Sequence, residues 1–302
     1  MLKNLVITLI ISSLAEVGLS KEQQVDVSIF NELLSTHVRA NGGVDYQGVA
    51  KDEKKLDAFI ASFSQANLTK SSDNEKKASY INLYNALMIR SLLRYAKSEK
   101  IDLNSKDFLN IQINDIDVSG GNIWNTDDRK YHAQLGGRWV NLDTIEHELI
   151  RGKVKGDLKL WQVSTLDPRI HVAVNCAAKS CPRLREKAYT AQNIDQMLDE
   201  NMREYVNSSK QFKQVSQSKL KLNSIVFWYY PDFDDTAKTQ FALKGAGDYL
   251  GQFVDKKTPG GKWKDAHLRQ NFNDRSRISL KFSSAFDFAY DWIVNDIRNM
   301  AD

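Results

Sequence analysis

The chain lacks several patterns that would indicate its function directly. Its 42 basic and 38 acidic side chains leave a formal charge of +4, and no long basic run or basic-aromatic stripe is present. A nucleic-acid partner is therefore not expected. The spacings C-x-x-C, H-x-x-x-H and G-x-S-x-G are absent. Their absence argues against a thioredoxin-type redox motif, a metal-binding helix and a serine-hydrolase elbow.

Long hydrophobic runs are also scarce, and the clearest one lies at the N-terminus. Lys3 precedes an apolar run from Leu5 to Leu14, and the small residues Gly18 and Ser20 precede charged residues. This layout predicts a secretory signal peptide at residues 1–20, with an uncleaved anchor as the alternative. No second hydrophobic segment is long enough to cross a bilayer. The sequence thus predicts an exported protein, periplasmic or secreted, with no stable membrane span after signal cleavage.

The remaining residues, 21–302, contain no repeat or linker and are predicted to form a single compact α+β domain. Apolar side chains surround most of the segment from Glu75 to Tyr95, which predicts a central buried helix. Two short runs around Gly136-Gly137 predict a hairpin, and Phe212 to Leu222 predicts further strands. The predicted fold is a central helix packed on a small, mostly antiparallel sheet.

Scarce and reactive residue types are concentrated in DPRIHVAVNCAAKSCPRL, residues 167–184. This stretch holds both cysteines, one of five histidines and two of four prolines. The apolar run from Ile170 to Val174 predicts a buried strand that leads into Asn175 and Cys176. A second segment rich in polar groups, Asp143 to Arg151, is predicted to be a helix opened by a capping box. The two segments together predict a functional site.

Three stretches carry a family resemblance: YINLYNALMI at 80–89, VNLDTIEHELIR at 140–151 and IHVAVNCAAKSCPRL at 170–184. They resemble the domain-of-unknown-function 547 family. VDY at 44–46 and YDWIVN at 290–295 resemble the beginning and the end of that family, so the likeness covers nearly all of the predicted mature chain. The resemblance implies an exported bacterial protein with no assigned activity and a distant relation to papain-like or transglutaminase-like folds.

The first interpretation of the site is a thiol-dependent hydrolase or acyltransferase that acts on a peptide-like or cell-envelope substrate. A nucleophilic cysteine needs a base, and the base needs a polar partner to orient it. Cys176 is the predicted nucleophile, with His147 or His171 as its base. Glu146, Asp143 or Asn82 would orient the imidazole. His171 and Cys176 are five residues apart, and on a strand they would face opposite sides. His147, which lies on a separate predicted helix, is therefore the preferred base.

The second interpretation is a non-catalytic binding or scaffold domain. In an oxidising compartment Cys176 and Cys181 pair if geometry allows, and the disulfide would then be structural. A third interpretation is a metal site, but no ligand spacing supports it. Its candidate ligands are His132, His147, His171, Glu146 and Cys176. No metal or other cofactor is therefore predicted, while the first two interpretations remain open.

Four further polar residues are binding candidates: Asn82, Asn85, Asn175 and Ser180. The first two lie on one side of the predicted central helix, where a buried amide needs hydrogen-bond partners. Those partners are either neighbouring backbone groups or residues of the site. Ser180 is interpreted as the cap of a turn or as a member of the site. The predicted partner is a peptide-like or envelope ligand, and the sequence leaves the oligomeric state open.

Overall fold

The computed structural model describes residues 25–274 and 285–300 (the described residues). The predicted signal peptide at residues 1–20 lies outside them. The described α-helices are α1 (Ser28–His37), α2 (Tyr46–Lys51), α3 (Glu53–Ser62), α4 (Asp73–Ser98), α5 (Lys106–Leu109), α6 (Ile194–Asn207), α7 (Ile225–Trp228), α8 (Tyr230–Gln240), α9 (Ala246–Gly251) and α10 (Gly261–Asn271). Helices of other types are the 3₁₀ helices Phe63–Gln65, Ile113–Asp115, Arg129–Tyr131 and Pro168–Val172, and the π-helix Thr144–Ile150. The described strands are β1 (Asp117–Val118), β2 (Gly121–Asn122), β3 (Ala133–Leu135), β4 (Arg138–Val140), β5 (Phe212–Gln214), β6 (Leu220–Asn223) and β7 (Phe286–Ala289).

Helix α4 is the centre of the fold, as the sequence predicts. It begins at a capping box in which the Ser72 hydroxyl accepts the Glu75 N–H and the Glu75 carboxylate accepts the Ser72 N–H. Every residue from Tyr80 to Leu93 is buried. The helix packs against α3, α6 and the π-helix. A helix that is buried on all sides positions the residues of several neighbouring segments at once.

The strands are short and mostly antiparallel, in agreement with the predicted fold class. Strands β1 and β2 pair antiparallel, as do β3 and β4, while β5, β6 and β7 form a three-stranded sheet whose β6–β7 pair is parallel. The predicted hairpin around Gly136-Gly137 is the β3–β4 pair. Both glycines have positive φ, +54° and +78°, which is the backbone that a two-residue type I′ turn needs.

Two local predictions are wrong. The segment predicted as a strand from Ile170 to Val174 lies largely in the 3₁₀ helix Pro168–Val172. Proline presets the helical φ there, and the Asp167 carboxylate accepts the Arg169 N–H at 3.1 Å, which favours a turn over an extended chain. The helix predicted at Asp143 to Arg151 is present as the π-helix Thr144–Ile150, but its predicted capping box is absent. The Thr144 N–H donates to Asn141 Oδ1 at 2.8 Å instead.

The buried apolar side chains form two clusters that meet at one place. The first cluster surrounds α4, and the second is built from α8 to α10 together with β5 to β7. Ile170 belongs to the first cluster and Val172 to the second, so the short 3₁₀ helix lies at the junction. Tyr290 packs against both clusters. His171 is therefore held between the two halves of the core.

The C-terminal described segment returns to the N-terminal half of the chain. Val44 pairs with Asp296 in a parallel bridge, and Ala178 pairs with Val294 in an antiparallel bridge. The Tyr46 hydroxyl donates to Asn295 Oδ1 at 2.8 Å. The two end motifs of the family resemblance thus lie side by side. Among the described residues, no helix combines the length and the apolar character that crossing a membrane requires.

Candidate functional site

A cavity of about 220 Å³ opens at the junction of the two clusters. Four predicted catalytic residues line it: Cys176, His147, His171 and Glu146. The remaining lining side chains are mostly aromatic, with two further polar groups, one apolar pair and the second cysteine. We call it the aromatic cavity, and its other lining residues are Tyr84, Asn122, Trp124, Asp143, Val174, Cys181, Ile225, Trp228, Tyr229, Tyr290 and Trp292.

His171 is the most constrained polar side chain in the aromatic cavity. Its ring is fully buried and stacks on Tyr229 with 3.7 Å between ring centroids. Its Nε2 lies 2.9 Å from Asp232 Oδ2. Burial lowers the pKa of His171, although Asp232 opposes this effect, so the ring is neutral near pH 7. Because a carboxylate only accepts hydrogen bonds, Nε2 carries the proton and Nδ1 is left as an acceptor.

The Nδ1 atom of His171 has no hydrogen-bond partner among the described residues, although it is buried. Leaving a buried polar atom unpaired costs about 1–3 kcal/mol, so such atoms are rare in folded proteins. A neutral imidazole with a bare acceptor nitrogen has the protonation state that a general base requires. The preference for His147 rested on a strand that is absent at His171, and the geometry favours His171.

Asp232 holds His171 in place and is itself held by two cations. Arg151 donates to both of its carboxylate oxygens, with Nε 2.6 Å from Oδ2 and Nη2 2.9 Å from Oδ1. Lys153 Nζ lies 3.0 Å from Oδ1. Burial favours the protonated acid, but the hydrogen bonds from His171 and Arg151 outweigh it and hold the pKa of Asp232 far below its usual range. Asp232, rather than Glu146, is the partner of His171.

Glu146 has a different role in the aromatic cavity. It is buried, and the Tyr229 hydroxyl donates to its Oε1 at 2.5 Å. The charge of Glu146 also acts on Tyr84, which lines the same cavity. Burial and then the charge of Glu146 raise the pKa of both tyrosines, so their hydroxyls remain donors. Glu146 therefore accepts the Tyr229 hydroxyl and keeps the hydroxyls of both tyrosines protonated.

His147 lies at the rim of the same cavity. Its side chain is 40% exposed, and Arg151 Nη1 donates to its Nδ1 at 3.1 Å. Its Nε2 lies 3.7 Å from Asp143 Oδ1. Burial raises the pKa of Asp143, an effect that His147 opposes. The acceptor nitrogen of His147 is thus already engaged, in contrast to that of His171.

Cys176 and Cys181 form a disulfide, which confirms the predicted pairing. The Tyr290 hydroxyl lies 3.0 Å from Cys176 Sγ and 3.1 Å from Cys181 Sγ. The Cys176 N–H donates to Cys181 Sγ at 3.0 Å. Cys181 is 5% exposed, whereas Cys176 is half-buried. Cys176 is therefore the sulfur that a molecule in the cavity reaches first.

The turn after Cys176 depends on polar side chains. Ala177 has a φ of +63°, a left-handed backbone that costs a residue with a side chain about 1–2 kcal/mol. Asn175 Oδ1 accepts the Ala177 N–H at 2.9 Å, and Asn175 Nδ2 donates to the Pro182 carbonyl at 2.9 Å. Asn85 Oδ1 in turn accepts the Asn175 N–H at 2.8 Å. These amides fix the shape of the disulfide loop.

The other two binding candidates also bond to backbone. Asn82 exchanges two hydrogen bonds with Tyr189, donating to its carbonyl at 2.8 Å and accepting its N–H at 3.0 Å. Ser180 Oγ accepts the Asp291 N–H at 2.7 Å. Both side chains join distant segments of the chain. In this structure all four binding candidates support the site through the backbone.

The aromatic side of the cavity is open to solvent. Trp228 stacks on Trp292 with 5.6 Å between centroids, and Tyr290 lies 4.4 Å from Trp292 by the same measure. Trp124 contacts Trp292 edge-on at 6.1 Å. Trp228 is 44% exposed. Such a surface suits the apolar face of a flat or ring-shaped ligand group.

No group of three histidine, cysteine or acidic side chains within the described ranges is arranged to hold a metal ion. His132, one of the candidates for the metal interpretation, bonds elsewhere. Its Nε2 lies 2.6 Å from the Thr126 carbonyl oxygen, and its Nδ1 lies 3.1 Å from Arg129 Nη1. Both of its ring nitrogens are thus engaged by protein groups.

Residues 68–206 match the model of the family described as "Protein of unknown function, DUF547". This segment, which is less than half of the chain, is similar to the DUF547 family. The match includes α4, the β3–β4 hairpin, the π-helix and the disulfide. Asp232 and Tyr290 lie beyond it, so the cavity joins the family segment to the C-terminal part of the chain. Searches of curated proteins and of solved structures found no match.

Proposed function

We propose that this protein is a thiol-dependent hydrolase or acyltransferase for peptide-like or cell-envelope substrates, and that the disulfide-bonded chain is its resting form. One observation supports the proposal most strongly. The His171–Asp232 pair presents an unpaired, buried Nδ1 in the same cavity as Cys176. Cysteine nucleophiles use a base that a carboxylate holds in place, and here such a base lines the same cavity as the cysteine.

The proposed reaction begins with reduction of the disulfide by a dithiol, which is oxidised to its own disulfide while Cys176 and Cys181 become thiols. His171 Nδ1 then takes the proton of Cys176, and Asp232 stabilises the imidazolium. The thiolate attacks the substrate carbonyl carbon and forms a carbon–sulfur bond. The leaving amine or alcohol takes the proton from His171. Water or an acceptor nucleophile releases the acyl group and regenerates the thiol.

Tyr290 assists in this proposal by stabilising the thiolate. Burial raises the pKa of Tyr290, so its hydroxyl stays protonated at neutral pH. A hydroxyl 3.0 Å from Cys176 Sγ would donate to the sulfur anion. The aromatic surface beside it would hold the apolar part of the substrate.

The first test compares two variants that lose the same disulfide. Cys181→Ser leaves Cys176 as the only thiol, and Cys176→Ser leaves only Cys181. We expect Cys176 to react with iodoacetamide about tenfold or more faster than an ordinary thiol at pH 7, because a base partner increases the thiolate fraction. We expect the buried Cys181 to react more slowly than Cys176. Circular dichroism shows whether both variants stay folded.

The second part of the test isolates the base in the Cys181→Ser background. Adding His171→Gln should lower the alkylation rate to that of an ordinary thiol or below, whereas adding His147→Gln should change it less than about twofold. A burst of nitrophenol from a nitrophenyl ester, equal to one per chain, would report the acyl-enzyme. If Cys176 alkylates like an ordinary thiol with or without His171, the hydrolase proposal is wrong.

The second candidate function is a binding domain without covalent chemistry, and the disulfide itself favours it. Both sulfurs are engaged with Tyr290, and the bond closes the loop from Cys176 to Cys181. In this case the oxidised chain is the functional form. Calorimetry with short peptides and envelope fragments would then show binding to the oxidised chain, and the thiols released by reduction would have ordinary reactivity.

A further inference from the structure

A second cavity, of about 180 Å³, shares Cys181 with the aromatic cavity. Its chemistry is different. Four cationic side chains line it: Lys179, Arg183, Arg185 and Lys210. We call it the basic cavity. These cations come from the disulfide loop, the segment after it and the chain beyond α6, so the fold collects them from separate positions.

The charges around the basic cavity do not cancel. Glu204 is its one acidic lining residue among those described. Arg183 Nε lies 3.2 Å from Glu204 Oε1, and Arg185 Nη1 lies 3.1 Å from Glu204 Oε2. Two guanidinium groups therefore share a single carboxylate. Lys179 lies outside this group, with its Nζ 3.7 Å from Asp291 Oδ2. The excess positive charge therefore comes from the two arginines, and an anionic ligand would lower the positive potential that they create.

The guanidinium of Arg185 is held rigidly. Its Nε donates to Asn201 Oδ1, and its side chain is only 13% exposed. Asn201 is fixed in turn, because its Nδ2 donates to the Tyr189 hydroxyl at 2.7 Å and to the Val172 carbonyl at 3.2 Å. A planar cation whose orientation is set before binding loses little entropy when it contacts an oxyanion.

Tyr205 supplies an independent observation. It lines the basic cavity and is 3% exposed, yet its hydroxyl has no hydrogen-bond partner among the described residues. Burial raises its pKa well above the usual value, so the hydroxyl is a donor at neutral pH. A buried donor without an acceptor is costly, and an oxyanion in the cavity would supply that acceptor.

We infer that the basic cavity is a binding site for a phosphate group, with Arg183, Arg185 and Lys179 neutralising its charge and the Tyr205 hydroxyl donating to one of its oxygens. A phosphate suits the site better than a carboxylate, since it carries more charge and has more oxygens to accept bonds from separate donors. This inference is independent of the proposed thiol chemistry, because it uses no atom of His171 or Asp232.

The test titrates the whole chain with inorganic phosphate by calorimetry, and with acetate at equal ionic strength. We expect saturable phosphate binding, and binding of acetate at least about tenfold weaker because it has fewer charges and acceptors. Equal affinities would assign the site to carboxylates and overturn the phosphate assignment. A linear, non-saturating phosphate response would overturn the site itself.

Two variants locate the binding, and a third is the control. Tyr205→Phe removes only the unpaired hydroxyl, so the fold should be kept while phosphate affinity falls about fivefold or more. Arg185→Gln should weaken binding about tenfold or more. Lys213→Gln removes one positive charge from an exposed site in β5, and we expect less than about a twofold change. Unchanged affinity in Tyr205→Phe, or an equal loss in Lys213→Gln, would refute the placement.

Discussion

The aromatic cavity and the basic cavity share Cys181 and are similar in size, but their chemistry is opposite. The aromatic cavity has indole and phenol rings with Glu146 and Asp143, and its unpaired buried atom is the acceptor His171 Nδ1. The basic cavity has four cationic lining side chains, and its buried atoms without a hydrogen bond are both donors, the Tyr205 hydroxyl and Arg183 Nε. Each cavity thus calls for a ligand group that the other would reject.

The difference shows what an unpaired polar atom can reveal about a ligand. A bare acceptor beside carboxylates favours a ligand with an acidic hydrogen, such as a thiol, an ammonium or a hydroxyl. A bare donor among cations favours an oxyanion. The environments of these atoms therefore distinguish two binding chemistries on either side of one disulfide.

The largest effect is expected from Asp232→Asn. It removes the charge that pairs with Arg151 and Lys153 and leaves two cations and His171 without their carboxylate. Loss of one member of a buried ion pair costs about 3–5 kcal/mol. Urea unfolding should show this loss in the free energy of unfolding. The control is Asp235→Asn, exposed on the same helix, with an expected change below about 0.5 kcal/mol.

A small effect of Asp232→Asn would contradict the role of this carboxylate in holding His171 and the two cations in place. In that case His171 would have to be oriented by its stacking on Tyr229 alone. The basic cavity should keep its phosphate affinity in the variant as long as the chain stays folded, which makes the comparison between the two cavities sharper.

A smaller effect concerns the dependence of stability on pH. Burial lowers the pKa of His171 in the folded chain below its unfolded value near 6.5. The unfolded state then binds the proton more readily, so stability is full above that value. As the pH falls below it, up to about 1.4 kcal/mol is lost per pH unit until the folded pKa is reached. Asp232, Arg151 and Glu146 are the charged groups that act on this ring.

Unfolding midpoints in urea between pH 7.5 and pH 5 measure this loss of stability. His171→Gln should flatten the profile relative to the wild type, because it removes the group whose pKa burial lowers. Identical profiles for the wild type and His171→Gln would show that folding does not lower the pKa of His171. That result would contradict the proposal that His171 is a neutral general base.

The smallest effect is expected at the disulfide. Tyr290→Phe keeps the ring but removes the hydroxyl near both sulfurs. That hydroxyl stabilises the thiolate that leaves when a dithiol attacks, so reduction by dithiothreitol should be slower by a factor of about 3–10. Tyr229→Phe is the matched control, since its hydroxyl donates to Glu146. Equal reduction rates in all three proteins would exclude a role of Tyr290 in thiolate stabilisation.

Local signals in the sequence predict much of the fold. The helix α4 follows from its capping box and its apolar periodicity, and the β3–β4 hairpin follows from Gly136-Gly137, because each depends on neighbouring residues. The apolar run from Ile170 to Val174 predicts a strand, but the structure has a 3₁₀ helix at Pro168–Val172. Five apolar residues fit a buried strand or a buried turn equally well, and Pro168 with Asp167 decides in favour of the turn.

The sequence predicts only some of the residues of the site. Cys176, His171, Glu146 and His147 stand out as scarce or reactive residues, and they do line one cavity. Asp232 lies 61 residues from His171 and follows an aromatic run without any motif of its own. The sequence also does not predict the basic cavity, because its cations form no continuous run along the chain. Contacts between distant segments come from packing, which periodicity does not encode.

The position of Tyr290 in the chain sets an order of events during synthesis. Cys181 leaves the ribosome 109 residues before the tyrosine whose hydroxyl contacts it. At about 5–20 residues per second, the two thiols wait roughly 5–20 s for that contact. During this interval the two cysteines meet whatever thiols and oxidants surround the growing chain. The thiols and oxidants around the growing chain can therefore set the oxidation state of Cys176 and Cys181 before Tyr290 packs against them.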